Sequence, residues 1–231
     1  MTYVVTIAQA VAVISACWAI VSGVGAWKRE FIGKRQIELA EQLLAKFFEV
    51  KDAIAYIRNP FSSSDEGKSR KRSDSERPEE SELLDRGYIV AERYQKKQTV
   101  FVEFNTLKYR CMATFGSETE KIFLDTNQVL NSIFASARIL ATHYWPRQGR
   151  VVMAPDEFQM HLDEMHRHEG VFWDVGGETD EIRKQLHGAQ TTLEQVTAPC
   201  FKEPMKLYSI LTTPWKRTAN KRLQRTGIQQ V

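Results

Sequence analysis

The most constraining feature of this chain is an uncharged stretch, because the residues from Met1 to Trp27 include no Asp, Glu, Lys or Arg. Most of them are aliphatic or small. As a helix rising about 1.5 Å per residue, roughly 25 residues cross the hydrocarbon core of a bilayer with room for tilt. Every backbone polar group is then bonded within the segment, as lipid requires. The stretch therefore predicts a transmembrane anchor over residues 1–27.

The charges that follow this stretch indicate its orientation. A cleaved signal peptide, the alternative interpretation, would begin with basic residues and have a shorter apolar core. A buried helix of a soluble protein would offer a polar face, which this stretch lacks. Basic residues that follow the apolar run place the rest of the chain in the cytoplasm. We therefore expect a single-pass protein of the inner (plasma) membrane, whose interface residues are Trp27, Lys28, Arg29, Lys34 and Arg35.

Small residues recur along the predicted anchor. Ser15, Ala19 and Gly23 are four positions apart, a spacing that lets two membrane helices approach closely. Small residues are common in membrane helices, so two interpretations stay open: self-association through this face, or small residues without a helix partner. The expected partners are the lipid bilayer together with a protein partner or a second copy of the chain.

Beyond Trp27 the apolar residues fall mainly three and four positions apart, which is typical of amphipathic helices. No useful β-type alternation is present, and hydrophobic residues amount to 42% of the chain, so a helical core can form. We predict an all-α fold: an N-terminal transmembrane helix followed by a cytoplasmic antiparallel helical bundle. The expected parts are a juxtamembrane helix over 28–58, a flexible polar loop over 59–81, the bundle over 82–198 and a basic, disordered tail over 199–231.

Local signals predict where the helices of the bundle begin and end. Asn59-Pro60 ends the juxtamembrane helix, since a residue before proline avoids helix. The sequence Ser117-Glu118-Thr119-Glu120 has the spacing of a capping box. Pro155 suits a first helical turn. We expect helices over about 82–115, 117–145, 155–173 and 179–196.

Four stretches of the chain resemble known sequences: Trp27–Glu41, Arg58–Phe61, His143–Gly149 and Glu164–Glu169. They are similar to parts of a family of uncharacterised bacterial membrane-anchored proteins, over roughly residues 1–175. The resemblance implies a bacterial source and an inner-membrane location. It implies no catalytic residues, because that family has no established activity.

The main candidate for chemistry is a histidine-rich helix. His161, Glu164 and His168 are spaced by three and four residues, so they form one strip beside the apolar face. Two imidazoles and a carboxylate could hold a divalent metal in a bundle, with Glu157 or Asp163 in support. The spacing is neither the HExxH zinc pattern nor a di-iron set. The alternative is a polar helix edge with partly packed histidines and no cofactor.

Other catalytic patterns are incomplete. Gly67-Lys68-Ser69 imitates the end of a phosphate-binding loop, but no strand precedes it and Asp65 and Glu66 would repel phosphate. Cys17, Cys111 and Cys200 are too widely spaced for a metal or redox motif.

Charge is unevenly distributed, although 32 Lys and Arg against 29 Asp and Glu give only +3 overall. Residues 156–182 carry nine acidic and one basic side chain, whereas residues 200–231 carry seven basic and one acidic. The basic tail could be disordered, lie on anionic lipid or dock on the acidic helix. Without a recognition motif, no nucleic-acid partner is expected. Within the basic tail, the basic residues near Trp215 are Lys216, Arg217, Lys221, Arg222 and Arg225.

These observations predict a membrane-anchored cytoplasmic interaction or scaffold protein rather than an enzyme. One alternative is a metal-dependent enzyme built on the helix around 156–173. Another is a membrane-surface regulator, in which phosphate on the serine-rich loop 61–81 would add roughly −1.5 to −2 charges beside Arg70, Lys71 and Arg72.

Overall fold

The computed structural model describes residues 2–177 and 179–201, and all regular structure in this part of the chain is helical. The prediction of an all-α helical bundle is confirmed. The chain divides into two units, Met1–Cys200 and Phe201–Val231, and the packing described below lies within the first. The helices are α1 (Thr2–Ile57), α2 (Pro78–Thr106), α3 (Lys108–Phe115), α4 (Glu120–Ile139), α5 (Trp145–Arg147), α6 (Pro155–Phe172) and α7 (Glu181–Phe201).

The longest element is α1, a single helix of 56 residues. The boundary predicted between the segments 1–27 and 28–58 falls within this helix, which continues through it without a break. It ends at Ile57, immediately before Asn59-Pro60, as the proline signal predicts. Anything that holds the first half of this helix therefore also orients the second half.

Contacts between distant residues show that successive long helices are antiparallel. Lys46 of α1 pairs with Glu103 of α2 at 2.7 Å, whereas the carbonyl of Ile57 accepts from Arg93, ten residues earlier in α2. Near the end of α4 the Ser136 hydroxyl meets His168 of α6, while Tyr144, just beyond α4, contacts His161, which comes earlier in α6. In each pair of helices, later residues of one therefore contact earlier residues of the other.

Aromatic rings link three helices in the core. The ring centroids of Phe47 on α1 and Phe104 on α2 are 6.2 Å apart, and those of Phe104 and Phe123 on α4 are 4.6 Å apart. All three side chains are fully buried. Large rings in offset contact contribute both buried area and an orientation-dependent attraction.

The predicted helix over 82–115 ends at Phe115 as expected but differs from the structure at its start and in the middle. It begins earlier, at Pro78, with Glu79 and Glu80 in its first turn, where acidic groups favour the helix dipole. It is interrupted at Leu107, whose N–H donates to the Phe104 carbonyl at 3.1 Å. Just before this break the side chains of Asn105 and Thr106 donate to carbonyls of α2. Such bonds compete with the regular helix ladder.

The predicted capping box at Ser117 is wrong. Ser117–Thr119 forms a short 3₁₀ turn, and α4 begins at Glu120 without a side-chain cap. The Thr119 hydroxyl instead donates to the Gly116 carbonyl. The hydroxyl is thus occupied by the preceding turn.

A π-helical turn follows α4 at Leu140–Tyr144, and no pattern in the sequence predicts it. The Thr142 hydroxyl donates to the Arg138 carbonyl at 2.8 Å within this region. Such turns insert one extra residue into a helix and are frequent at functional sites. The turn directs Tyr144 and Trp145 towards α6.

The segment 59–81, predicted as a flexible polar loop, is irregular up to Arg77 but makes many contacts. Arg70 donates to Glu76 at 2.9 Å and to Asp85 at 2.9 Å. The hydrogen bond from Arg70 lowers the pKa of Glu76 to about 2. The composition signalled irregular structure correctly but not these ion pairs, because composition does not show which charges meet, and Asp85 lies outside the segment.

The predicted boundary between bundle and tail, at residue 199, also differs from the structure. It cuts across α7, which continues to Phe201. The basic residues Lys216, Arg217, Lys221, Arg222 and Arg225 lie outside the described residues.

Close packing of α2 against the end of α4 requires a glycine. A Cβ on Gly87 would lie 2.7 Å from the Cβ of Ala141 and 3.0 Å from the Ala137 carbonyl oxygen. We expect Gly87→Ala to lower the free energy of unfolding by about 1–3 kcal/mol through this overlap. Gly188→Ala is the matched control, since nothing lies near its Cβ, and it should stabilise by about 0.5–1 kcal/mol. Denaturant titration of both variants measures the difference, and equal effects would contradict the proposed overlap.

Candidate functional site

The two halves of α1, residues 2–26 and 27–57, have opposite environments although they form one helix. The first is called the apolar half below. In the first half, apolar side chains such as Tyr3, Trp18 and Val21 are 84%, 74% and 72% exposed. In the second half, Leu43 and Phe47 are fully buried in the core. One half is therefore a core helix, whereas the other presents its apolar side chains to the surroundings.

By length and composition, one helix in the described part of the chain is able to cross a membrane, and it is α1. Two serine hydroxyls in its apolar half are satisfied by carbonyls of the preceding turn. The Ser22 hydroxyl donates to the Ala19 carbonyl at 3.0 Å, and the Ser15 hydroxyl donates to the Val11 carbonyl. Such bonds to the preceding turn make a serine compatible with an apolar environment.

The predicted interface residues are exposed on α1 just beyond this half. Trp27 is 66% exposed and stacks on Phe31, with ring centroids 5.8 Å apart. The guanidinium carbon of Arg35 lies 5.5 Å from the centre of the Phe31 ring. Lys34 pairs with Glu30 at 2.9 Å. Tryptophan followed by basic side chains is the usual order at a membrane surface.

A groove of about 470 Å³ lies between α1 and α3, close to these residues. Arg35 and Leu39 line it from α1, and Arg110 and Thr114 line it from α3. Sequence reasoning missed Arg110, because 75 residues separate it from Arg35 and no local pattern connects them.

The predicted metal-binding residues are only partly brought together. The rings of His161 and His168 both contact Tyr144, with centroids 5.2 Å and 5.5 Å from it. Glu164 instead accepts from Arg167 at 2.5 Å, and this hydrogen bond holds the pKa of Glu164 below its usual range. Within the described residues, no group of three or more His, Cys, Asp or Glu side chains is arranged to hold a metal ion.

The two histidines have different surroundings. The Nδ1 atom of His168 lies 3.0 Å from the Ser136 hydroxyl. His161 is 8% exposed, and its Nε2 atom is buried without a hydrogen-bond partner. The arrangement resembles the predicted packed polar edge more than a ligand set. A divalent metal would need Glu164 to leave Arg167.

Partial burial lowers the pKa of His168 below its ordinary value of 6.5, and nearby Arg167 lowers it further. The unfolded chain then binds the proton more tightly than the folded chain does. The free energy of unfolding is therefore highest above pH 6.5, where His168 is neutral in both states, and it decreases as the pH falls below 6.5. We expect the melting temperature to fall between about pH 8 and pH 5, and His168→Gln to flatten that dependence. An unaltered slope in the His168 variant would contradict this assignment.

Two buried arginines, neither a predicted site residue, join the end of α1 to the rest of the bundle. Arg58 donates to Asp180 and to the carbonyls of Gly170, Val171 and Trp173, at 2.7–2.9 Å.

The second buried arginine, Arg93, donates to the carbonyls of Asn59 and Phe61 and pairs with Glu66 at 2.6 Å. Buried arginines with several acceptors usually have a structural role.

A cavity of about 700 Å³ lies between the loop 59–77 and α2. Ser62 and Ser64 line it, together with Arg72 and Arg86. The cations are already occupied, since Arg72 pairs with Asp85 and Arg86 stacks on Trp145 at 4.5 Å. A phosphate on these serines would therefore have to compete with existing partners.

No family model, curated protein or solved structure matches the chain. The resemblance to a bacterial membrane-anchored family stays a prediction.

Proposed function

We propose that the chain is a single-pass membrane protein in which the first half of α1 crosses the bilayer and holds the helical bundle at the membrane surface. The single observation that carries this proposal is the contrast within α1. The large apolar side chains described in its first half are exposed, whereas its second half is a core helix of the bundle. Because the helix is continuous, the bundle would be held directly against the bilayer.

The hydrophobic effect supports a lipid environment for this half. Burying one large aliphatic or aromatic side chain stabilises by about 1.5–3 kcal/mol. The exposed large side chains of this half together therefore favour burial by on the order of 10 kcal/mol. The exposed large side chains of this half are Tyr3, Ile7, Val11, Val13, Ile14, Trp18, Ile20, Val21 and Val24.

The distribution of basic residues supports a cytoplasmic bundle. Lys28, Arg29, Lys34 and Arg35 follow the apolar half, and Glu30 is the one acidic residue among positions 27–35. Positively charged residues are retained on the cytoplasmic side of a membrane. In a bacterium, which the resemblance implies, this membrane is the inner one.

A binding role for the bundle is supported by apolar side chains that its own packing leaves exposed. Val151 and Val152, in the connection between α5 and α6, are 46% and 100% exposed, and Phe158 and Met160 on α6 are 43% and 62% exposed. Large apolar side chains that a bundle's own packing leaves exposed can contribute to protein contacts. We propose that the bundle binds another protein at the membrane surface.

Fractionation of cells that express the full chain tests the anchor. We expect the chain to stay in the membrane pellet after alkaline carbonate extraction, which removes peripheral proteins. Protease added to inverted vesicles should digest the bundle, and protease added to intact spheroplasts should not. Recovery in the soluble fraction, or a mature chain that begins after Trp27, would overturn the proposal.

In-cell crosslinking tests the binding role. A photoreactive side chain at Val152 should give a reproducible adduct of defined mass, and one at exposed Lys184 on α7 serves as the control. Identical adduct patterns at both positions would argue against a specific binding surface around Val152.

A further inference from the structure

The groove between α1 and α3 combines two cations with an apolar wall. Arg35 and Arg110 are exposed, and neither makes an ion pair with another described residue. None of the described residues that line the groove is acidic. Gln36 and Thr114 add an amide and a hydroxyl to the lining, and Phe31 and Ile32 supply its apolar part. Two guanidinium groups without an ion-pair partner among the described residues, one of them over the Phe31 ring, lie beside hydrogen-bond donors. This combination matches a phosphate, which guanidinium can bind through paired hydrogen bonds while its face stays on a ring.

The position of the groove indicates where the phosphate comes from. Arg35 lies eight residues after Trp27, about 12 Å further along the helix axis. Side chains on a helix lean towards its N-terminus. The guanidinium of Arg35 accordingly lies over the ring of Phe31, one turn nearer the apolar half. If the bilayer surface lies near Trp27, this places the cation at the depth of the lipid headgroups.

We propose that this groove binds the headgroup of an anionic phospholipid, with Arg35 and Arg110 on the phosphate and with Phe31 and Ile32 against the upper acyl chain. The inference rests on the proposed membrane anchor and deepens it by naming the lipid class. The exposed fractions of Phe31 and Ile32, 49% and 44%, leave room for such a contact. The basic stretch 200–231 is an unsuitable occupant, because its charge has the same sign as that of the groove.

Native mass spectrometry of the full chain in detergent tests the site directly. Phosphatidylglycerol and phosphatidylcholine are added together, and the adducts of each lipid are counted. We expect selective retention of phosphatidylglycerol by the wild type and a drop of about 30-fold in its affinity in Arg35→Gln/Arg110→Gln. At about 1.4 kcal/mol per factor of ten this equals about 2 kcal/mol, as expected for two cations near a membrane surface.

Two control variants separate this site from general charge and from misfolding. Arg77→Gln/Arg150→Gln removes two exposed arginines near the opposite end of the bundle and should retain the wild-type preference. Arg35→Lys/Arg110→Lys keeps both charges and should retain most of the affinity. Equal phosphatidylglycerol affinity in the wild type and the Gln double variant would overturn the proposal. So would a lipid adduct that inorganic phosphate displaces completely.

Incorporation into nanodiscs of neutral phosphatidylcholine distinguishes failure of the groove from failure of the anchor. If the wild type enters them but shows no preference for phosphatidylglycerol, the groove assignment is wrong and the anchor stands. If it enters neither neutral nor anionic nanodiscs, both proposals are overturned.

Discussion

Replacing Arg58 by methionine should lower the free energy of unfolding by about 3–5 kcal/mol. The side chains of Arg58 and Asp180 are 1% and 2% exposed, and their ion pair is 2.9 Å long. The substitution would remove the close partner of a buried carboxylate, and the carbonyls of Gly170, Val171 and Trp173 would lose their donor. The effect can be measured by denaturant titration of the full chain in detergent, followed by tryptophan fluorescence.

Two further variants separate the buried pair from general loss of charge. Arg183→Met removes an arginine that is 55% exposed and 3.9 Å from the same carboxylate, so it should change stability by less than about 1 kcal/mol. Arg58→Met/Asp180→Asn removes both charges, while Asn can still accept from the backbone N–H groups of α7. It should recover at least about 1 kcal/mol relative to Arg58→Met. A loss below about 1 kcal/mol in Arg58→Met would contradict the assigned role.

Two acidic substitutions in the apolar half of α1 should release the chain from the membrane. Ile14 and Trp18 are 69% and 74% exposed, and both lie near the middle of the proposed span. An aspartate at the centre of a membrane helix costs about 2.5–3.5 kcal/mol, so Ile14→Asp/Trp18→Asp should cost about 5–7 kcal/mol. The measured quantity is the fraction of the chain in the carbonate-resistant pellet, which should fall from nearly all to a minor part.

The matched control introduces the same charges on the bundle. Val152→Asp/Val175→Asp replaces side chains that are 100% and 74% exposed and lie far along the chain from the proposed span. This variant should stay in the pellet. If both double variants fractionate as the wild type does, the apolar half of α1 is not what holds the chain in the membrane.

The helix limits at Asn59-Pro60 and Pro155 were predicted well, since a proline acts on the backbone of adjacent residues. The break at Leu107 and the π turn at Leu140–Tyr144 were not predicted. Both lie in stretches whose apolar spacing is compatible with a continuous helix. Their irregular geometry follows from side-chain bonds to nearby carbonyls, which periodicity does not record.

For the candidate metal-binding residues too, the sequence predicted part of the arrangement and missed the rest. The spacing of His161 and His168 correctly placed both on one side of a helix, and both contact Tyr144. Glu164, on the same strip by spacing, pairs with Arg167 instead. A spacing argument gives the direction of a side chain on its own helix but not its partner.

The sequence by itself determined that the chain is helical and that its first 27 residues include no charged side chain. Helical periodicity depends on residues three and four positions apart, and the charge of a side chain follows from the residue type alone. Only the tertiary structure decided that Arg58 meets Asp180, that Arg35 lies across a groove from Arg110, and that the apolar half of α1 is continuous with a core helix. Each of the two pairings joins groups more than 70 residues apart. Which of many similar charges meet is settled by how whole helices pack, and local patterns carry no information about that choice.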